Sequence, residues 1–290
     1  MTVALGLLRG LRPKQWLKNV LVVAAPLAAG VLFSQGVWLW VLVAFVIFCA
    51  SSSGIYLLND ALDVEEDRAH PKKRFRPIAS GELPLSVAWV AIVVLLLGAP
   101  AVAFAVDRPT FAVVVLVYEF VQIAYCLWLK HVVVLDLVVV SSGFLIRSIA
   151  GAAVLDIPVS QWFLLVASFG SLFMVAGKRY SEKLNHEESS GITRRSLEGY
   201  SLSYLRFVWS IAAGLALTTY SLWAFELGTR DSIPLTAISI VPFGTALLRY
   251  AFAIDRGHAG APEDTVLGDR QLLLLGLIWL IVFGASVAVR

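Results

Sequence analysis

Between Asn59 and Gly81 the chain reads NDALDVEEDRAHPKKRFRPIASG, a dense run of ionisable residues flanked by long apolar stretches. On a helix at 100° per residue, Asn59, Asp60, Asp63, Glu66, Asp67 and His70 fall within an arc of about 120°, a single face. Hard oxygen donors gathered in this way suit Mg²⁺, which keeps several waters and bridges a few carboxylates to a phosphate-bearing substrate. Pro71 ends the helix, and Lys72, Lys73, Arg74 and Arg76 follow at once. Carboxylates for a metal beside cations for phosphate oxygens make a diphosphate site. A solvated loop joining two spans is the plainer alternative, but Asn59, Asp60, Asp63 and Asp67 at i, i+1, i+4 and i+8 exceed what a topology signal needs.

A second polar stretch, GKRYSEKLNHEESSGITRRS, begins at Gly177. Its helical face after Lys178 includes Glu182, Asn185 and Ser189. Lys178, Arg179 and Lys183 could hold a second phosphate, and Glu182 a metal or sugar hydroxyls. Taken alone, the stretch reads equally well as a basic cytoplasmic loop. Before the first apolar run, RPKQWLKN sets Lys14 and Lys18 four residues apart with Trp16 between them, the pattern of a helix entering the headgroup layer. Lys14, Lys18 and Asn19, joined by Lys130, could there hold a lipid phosphate; anchoring and orientation is the simpler role.

The elements that must position these groups are membrane spans. With 59% hydrophobic and 15% charged residues in 290 and a mean hydropathy of +0.83, the chain leaves no room for a large water-soluble domain. Nine spans are expected, at 17–34, 38–58, 84–106, 109–128, 133–155, 160–176, 204–226, 233–254 and 271–289. Of the 23 Lys and Arg residues, nineteen then fall on one side, three on the other, and Arg147 within a span. That asymmetry puts the N-terminus and the loops 59–83, 129–132, 177–203 and 255–270 in the cytoplasm and the C-terminus outside. The net charge of +3 therefore reports topology and anionic ligands rather than nucleic acid. The long cytoplasmic loops follow the second and sixth spans and both begin with charged helix, which suggests a twofold pseudo-repeat.

Ionisable groups inside a bilayer are costly and normally paired or functional. Glu119 and Arg147 lie at similar depths on adjacent antiparallel spans, so an interhelical ion pair is expected; the alternative is that Arg147 binds a phosphate. Cys49 and Cys126 sit within apolar runs, against a disulfide framework or zinc site. His131, His186 and His258 lack the spacing of a metal site or of a nucleophile and its base.

These motifs carry a family resemblance. Nine spans with NDxxDxxxD after the second resemble the UbiA-type intramembrane prenyltransferase superfamily. More narrowly, RPKQWLKN, the 59–81 stretch, LKH at 129–131, GFLIRSIAG at 143–151 and GKRYSEKLNHE at 177–187 resemble the actinobacterial decaprenyl-phosphate phosphoribosyltransferases. The resemblance implies an all-α, polytopic plasma-membrane fold: one transferase domain over 1–290, nine helices around a cavity open to the cytoplasm, capped by loops 59–83 and 177–203. Superfamily members typically carry a second aspartate-rich motif after the sixth span. Here that loop has no aspartate, and its glutamates are crowded by Lys178, Arg179 and Lys183. The departure suits a diphosphate donor with an extra phosphate, phosphoribosyl pyrophosphate.

What the resemblance implies is attack by decaprenyl phosphate on the ribose C1 and release of diphosphate, on the way to cell-wall arabinan and arabinogalactan. Asn59, Asp60, Asp63 and Asp67 would hold Mg²⁺, with Asp63, Asp67 and Glu182 closest to the chemistry. Lys72, Arg74 and Arg76 would clamp the diphosphate, and Lys178, Arg179 and Lys183 the 5-phosphate. Lys14, Lys18, Asn19 and Lys130 would take the lipid phosphate. The rival on the same fold is transfer of a prenyl group from its diphosphate to an aromatic or other small acceptor. A transporter is disfavoured because polar residues cluster at the cytoplasmic ends. Small lipid-facing residues permit homo-oligomers without specifying one.

Overall fold

The computed structural model describes residues 3–188, 195–228 and 234–288, and among them every regular element is helical. In chain order these are α1 (Val3–Gly10), a 3₁₀ segment (Pro13–Val23), α2 (Ala24–Ala28), α3 (Val37–Leu62), α4 (Val64–Ala69), a 3₁₀ turn (Lys73–Phe75), α5 (Leu85–Ala105), α6 (Pro109–Leu127), a 3₁₀ turn (Leu129–His131), α7 (Leu135–Ala153), α8 (Gln161–Glu188), α9 (Arg195–Glu198), α10 (Leu202–Gly228), α11 (Leu235–Ile238), α12 (Ile240–Asp255), α13 (Pro262–Gly268) and α14 (Arg270–Ala288). Ser189, Arg194, Arg230 and Arg290 lie outside the described residues, as do the side chains of His186, Glu187, Glu188 and Arg195.

Among the described residues eight helical stretches are long and apolar enough to cross a bilayer, α11 and α12 together counting as one. The expected span at 17–34 is the difference. Its residues form the 3₁₀ segment and the five-residue α2 instead of one long helix. Hydropathy sees only the apolar run, whereas Pro13 opens the segment, Pro26 lacks an N–H to donate, and Gly30 turns the chain at φ +77°. Arg12 enters the segment in the left-handed region, φ +54°.

The helices that carry the charged motifs are longer than a bilayer needs. At 1.5 Å per residue, α3 with 26 residues and α8 with 28 are about 39 and 42 Å long, against a hydrocarbon core of about 30 Å. The surplus, roughly two turns in each, lifts Asn59–Leu62 and the stretch from Lys178 to Asn185 beyond the apolar layer. There the acidic and basic side chains escape the cost of burial in lipid.

The chain divides into two compact units. The first comprises residues 1–25, 33–130 and 146–158. Its centre is α3, packed on α5 and α6. A run of small residues, Ser51–Gly54, lets neighbours approach closely, and a Cβ on Gly54 would meet Leu96 Cδ2 at 2.7 Å. Phe48, Phe111 and Tyr118 fill this core with ring centroids 6.2 and 5.1 Å apart.

The second unit comprises 26–32, 131–145 and 159–290. Here α8 packs on α10 and α12 around Phe173, Tyr180, Leu205, Tyr250 and Ile254. Gly177 makes the α8–α12 contact possible: Ile254 Cγ1 lies 2.7 Å from where its Cβ would stand. A second aromatic cluster, Tyr220, Trp223, Phe243, Trp279 and Phe283, ties α10, α12 and α14. Its polar tips are satisfied by Tyr220 bonding Ser239 at 2.6 Å and Trp279 Nε1 donating to Tyr220 at 2.7 Å.

Candidate functional site

In the first unit the aspartate motif straddles the end of α3. Asp63 leaves helical geometry at φ −94°, ψ 13° and joins α3 to α4. Its backbone N–H still donates to Asn59 O at 3.0 Å, and Asp67 N–H to Asp63 O at 2.8 Å. The face read from the spacing therefore survives this joint, and Asn59, Asp63 and Asp67 remain one turn apart. Pro71 stops α4, and His70 turns out of the helix to accept Lys72 and Lys73 backbone N–H groups on Nδ1, at 3.1 and 3.3 Å.

Each of the three motif aspartates carries a cation. Asp60, 2% exposed, receives Arg12 Nη2 on both oxygens at 2.6 and 2.8 Å and Arg76 Nη1 at 3.0 Å. Arg76 Nη1 also donates to Asp67 Oδ2 at 2.6 Å. Lys130 forms a close ion pair with Asp63 Oδ1, and Asn59 Nδ2 donates to Asp63 Oδ2 at 3.1 Å. Lys73 stands 3.9 Å from Asp67 Oδ1. Lys72 and Arg74 are exposed, with the Arg74 guanidinium 4.9 Å from the Phe75 ring centroid.

Asp67 bears on metal binding. It is 1% exposed, and its Oδ1 makes no hydrogen bond although buried. Burial pushes its carboxyl above the usual carboxylate range, against the opposing pull of Arg76. Among the described residues no three His, Cys, Asp or Glu side chains form a ready-made metal cluster. An all-oxygen set of Asn59, Asp63 and the unsatisfied Asp67 Oδ1 nevertheless fits Mg²⁺, which binds through one or two carboxylates and completes its shell with substrate phosphates and water.

Deeper along α3 lies a polar seam. Asn19 is fully buried and donates to Cys49 Sγ and Ser52 Oγ, each at 3.2 Å. It accepts from Arg147 Nε at 2.7 Å, and Arg147 Nη2 donates to Tyr118 Oη at 2.7 Å. The expected Glu119–Arg147 ion pair is absent: Glu119 accepts from Ser51 Oγ at 2.8 Å. Their depths match, but Tyr118 and Glu119 point about 100° apart around α6, and Tyr118 is the one that faces Arg147. Lys14 is exposed and Lys18 half-buried.

In the second unit the α8 terminus gathers Lys178, Arg179 and Glu182. Arg179 Nη1 donates to Glu182 Oε2 at 2.9 Å, and Lys178 Nζ lies 3.7 Å from Glu182 Oε1. Lys183 is half-buried. Arg179 is 4% exposed and its Nε donates to Asp136 Oδ2 at 3.3 Å. Asp136 was not singled out by its sequence context, where a lone acid opening an apolar run looks like a span boundary. Asn185 Nδ2 donates to Gly257 O at 2.9 Å, next to a left-handed turn at φ +74°.

Comparison with known proteins narrows what these groups do. The family model described as UbiA prenyltransferase family matches residues 20–273. Curated relatives named decaprenyl-phosphate phosphoribosyltransferase are similar over nearly the whole chain. One from Corynebacterium glutamicum is 50% identical, covering 94% of this chain and 84% of its own length. One from Mycolicibacterium smegmatis is 49% identical over 97% and 92%, and one from Mycobacterium tuberculosis 50% identical over 98% and 94%. Among solved structures, a UbiA homolog from Archaeoglobus fulgidus bound to DMAPP and Mg²⁺ aligns with a TM-score of 0.72 at 18% identity, covering 98% of this chain and 99% of that one. At that identity the likeness speaks for the fold.

Proposed function

The chain belongs to the UbiA prenyltransferase family, and from that premise we propose that it transfers 5-phosphoribosyl from phosphoribosyl pyrophosphate to decaprenyl phosphate. The observation that carries this reading is 50% identity, across 98% of the chain, to a decaprenyl-phosphate phosphoribosyltransferase. The aspartate-free, cation-crowded terminus of α8 supports it, because a donor with a second phosphate needs cations where a prenyl diphosphate does not.

In the reaction, a phosphate oxygen of the lipid attacks C1 of the ribose. The new C1–O bond forms as the bond from C1 to the diphosphate oxygen breaks, and diphosphate leaves with the electron pair. The products are decaprenylphosphoryl-5-phosphoribose, a precursor of cell-wall arabinan, and diphosphate. A phosphate monoester has its second pKa at about 6, so the attacking oxygen is already ionised at neutral pH and no side chain need act as base.

The work of this chain's own residues is then charge management. Asn59, Asp63 and Asp67 hold Mg²⁺, with Asp60 behind them keeping Arg12 and Arg76 in place. Bound there, Mg²⁺ supplies neutralisation of the charge that develops on the leaving diphosphate. Arg76 and Lys130, now on Asp67 and Asp63, exchange carboxylate for phosphate oxygens, and Lys72 and Arg74 close over the same group from the exposed loop. Lys178 and Lys183 take the 5-phosphate, and Glu182 a ribose hydroxyl, with Arg179 acting through Glu182. Lys14 and Lys18 receive the lipid phosphate, while Asn19 contributes by fixing Arg147. Loops 59–83 and 177–203 of one transferase domain serve this chemistry from the cytoplasmic side of the plasma membrane. Purified protein given Mg²⁺, decaprenyl phosphate and ribose-labelled phosphoribosyl pyrophosphate is expected to move label into the organic phase. Turnover of a prenyl diphosphate with an aromatic acceptor, and no labelled lipid, would establish the rival instead.

A further inference from the structure

The second unit contains a buried pair, Asp136 and Tyr200, to which the reaction as set out above gives no role. Asp136, in the first turn of α7, is fully buried. Its Oδ1 accepts the Tyr200 hydroxyl in a close hydrogen bond, and its Oδ2 accepts Arg179 Nε at 3.3 Å. Tyr200 is 3% exposed and lies just before α10, and Arg179 lies in the charged end of α8. One carboxylate therefore ties α8 and the entry to α10 to the start of α7.

Backbone geometry points the same way. Val134 N–H donates to Tyr200 Oη at 2.6 Å, and Val134 sits at φ +73°. A β-branched residue in the left-handed region is a genuine outlier, and such strain persists where the surroundings over-determine it, most often at functional sites. The phenol thus accepts from a strained peptide and donates to Asp136. Burial together with the bond to Asp136 drives its pKa upward, which keeps the donor proton on the ring oxygen at any working pH.

From this arrangement we propose that Asp136 and Tyr200 are positioning residues for the ribose-phosphate end of the donor: they fix Arg179, and Arg179 in turn fixes Glu182 beside Lys178. The inference rests on the phosphoribosyl transfer argued above. Asp136 and Tyr200 are themselves buried and touch no substrate. Their effect reaches the donor through the Arg179–Glu182 bond at 2.9 Å, and through the placement of the α8 end that carries Lys183.

Tyr200→Phe removes one hydroxyl and little volume, and Asp136→Asn keeps the shape while removing the charge. Each is expected to raise KM for phosphoribosyl pyrophosphate about tenfold, the scale of a weakened charged hydrogen bond, with KM for decaprenyl phosphate unchanged and kcat within about twofold. Arg179→Lys, which keeps a cation near Asp136, should recover part of the loss seen in Arg179→Gln. In amide exchange, the α8 segment from Lys178 to Asn185 should exchange about tenfold faster in Tyr200→Phe, with the apolar body of α10 unaffected. Unchanged donor KM in a well-folded Tyr200→Phe protein overturns the proposal, as does a parallel rise in both KM values, which marks a merely structural role. Should Asp136→Asn fail to fold, the hydroxyl deletion decides alone. Wild-type protein that leaves phosphoribosyl pyrophosphate untouched sinks the functional reading; unaltered exchange at Lys178–Asn185 sinks the positioning device itself.

Discussion

Arg76→Gln strands a buried charge, and the cost follows from the partners it leaves behind. Arg76 Nη1 bridges Asp60 at 3.0 Å and Asp67 at 2.6 Å, and both carboxylates are at most 2% exposed. Asp60 keeps its two bonds from Arg12. Asp67 keeps only Lys73, 3.9 Å away. Removing one partner of a buried pair costs about 3–5 kcal/mol. Arg76 is itself 22% exposed, so water takes up part of the loss, and we expect about 2–3 kcal/mol. For a chain of this size that is a fall in Tm of roughly 4–8 °C, measured in detergent without Mg²⁺. Asp67→Asn removes the stranded charge, so in the double variant most of the loss should disappear, with a coupling energy above about 1.5 kcal/mol. An Arg76→Gln protein as stable as wild type, or additive effects in the double variant, would refute the charge-locked motif.

The same carboxyl sets a pH dependence. Because burial raises the Asp67 pKa, its contribution to stability is fully present below the unfolded value of about 3.9 and is lost as pH rises through the folded one. The Tm of metal-free wild type, taken relative to Asp67→Asn, should therefore climb as pH falls from 7; a flat difference contradicts the sign. Arg147→Met leaves Asn19 Oδ1 and Tyr118 Oη without their charged donor and should cost about 2–3 kcal/mol, whereas Glu119→Gln keeps a Ser51 partner and should cost under about 1 kcal/mol. Equal costs on chemical denaturation would restore the ion pair. Gly177→Ala forces a methyl against Ile254, costing about 1–3 kcal/mol, and because Lys178 follows directly it should also raise the donor KM. A variant with native stability and kinetics would show that α8 and α12 are less tightly packed than described.

What was legible in the sequence was local. Asn59, Asp63 and Asp67 share a face because their spacing follows the helical repeat, and one bent residue at Asp63 does not undo it. Eight of the expected spans correspond to helical stretches because twenty or so apolar residues leave the backbone no other way to satisfy its hydrogen bonds in lipid. The ninth, 17–34, is not among them: apolarity says nothing of Pro13 and Pro26, and its residues form a 3₁₀ segment and a short helix. Long-range partners were out of reach for the same reason. Asp60 meets Arg12 across 48 residues only through the left-handed turn at Arg12, and Asp136 meets Tyr200 across 64 only through the strained turn at Val134. Nor could the depth of Glu119 and Arg147 reveal which side of α6 would face Arg147.

The central step is the ribose leaving its diphosphate for a lipid phosphate. A donor labelled differently in the ribose and in the β-phosphate, supplied with Mg²⁺ and decaprenyl phosphate, tests that directly. The expected result is ribose label in the lipid and β-phosphate label in free diphosphate, one for one, with neither appearing when decaprenyl phosphate is left out and both lost in Asp63→Asn. β-Phosphate label travelling with the lipid, or diphosphate released at the same rate without the lipid, would contradict it.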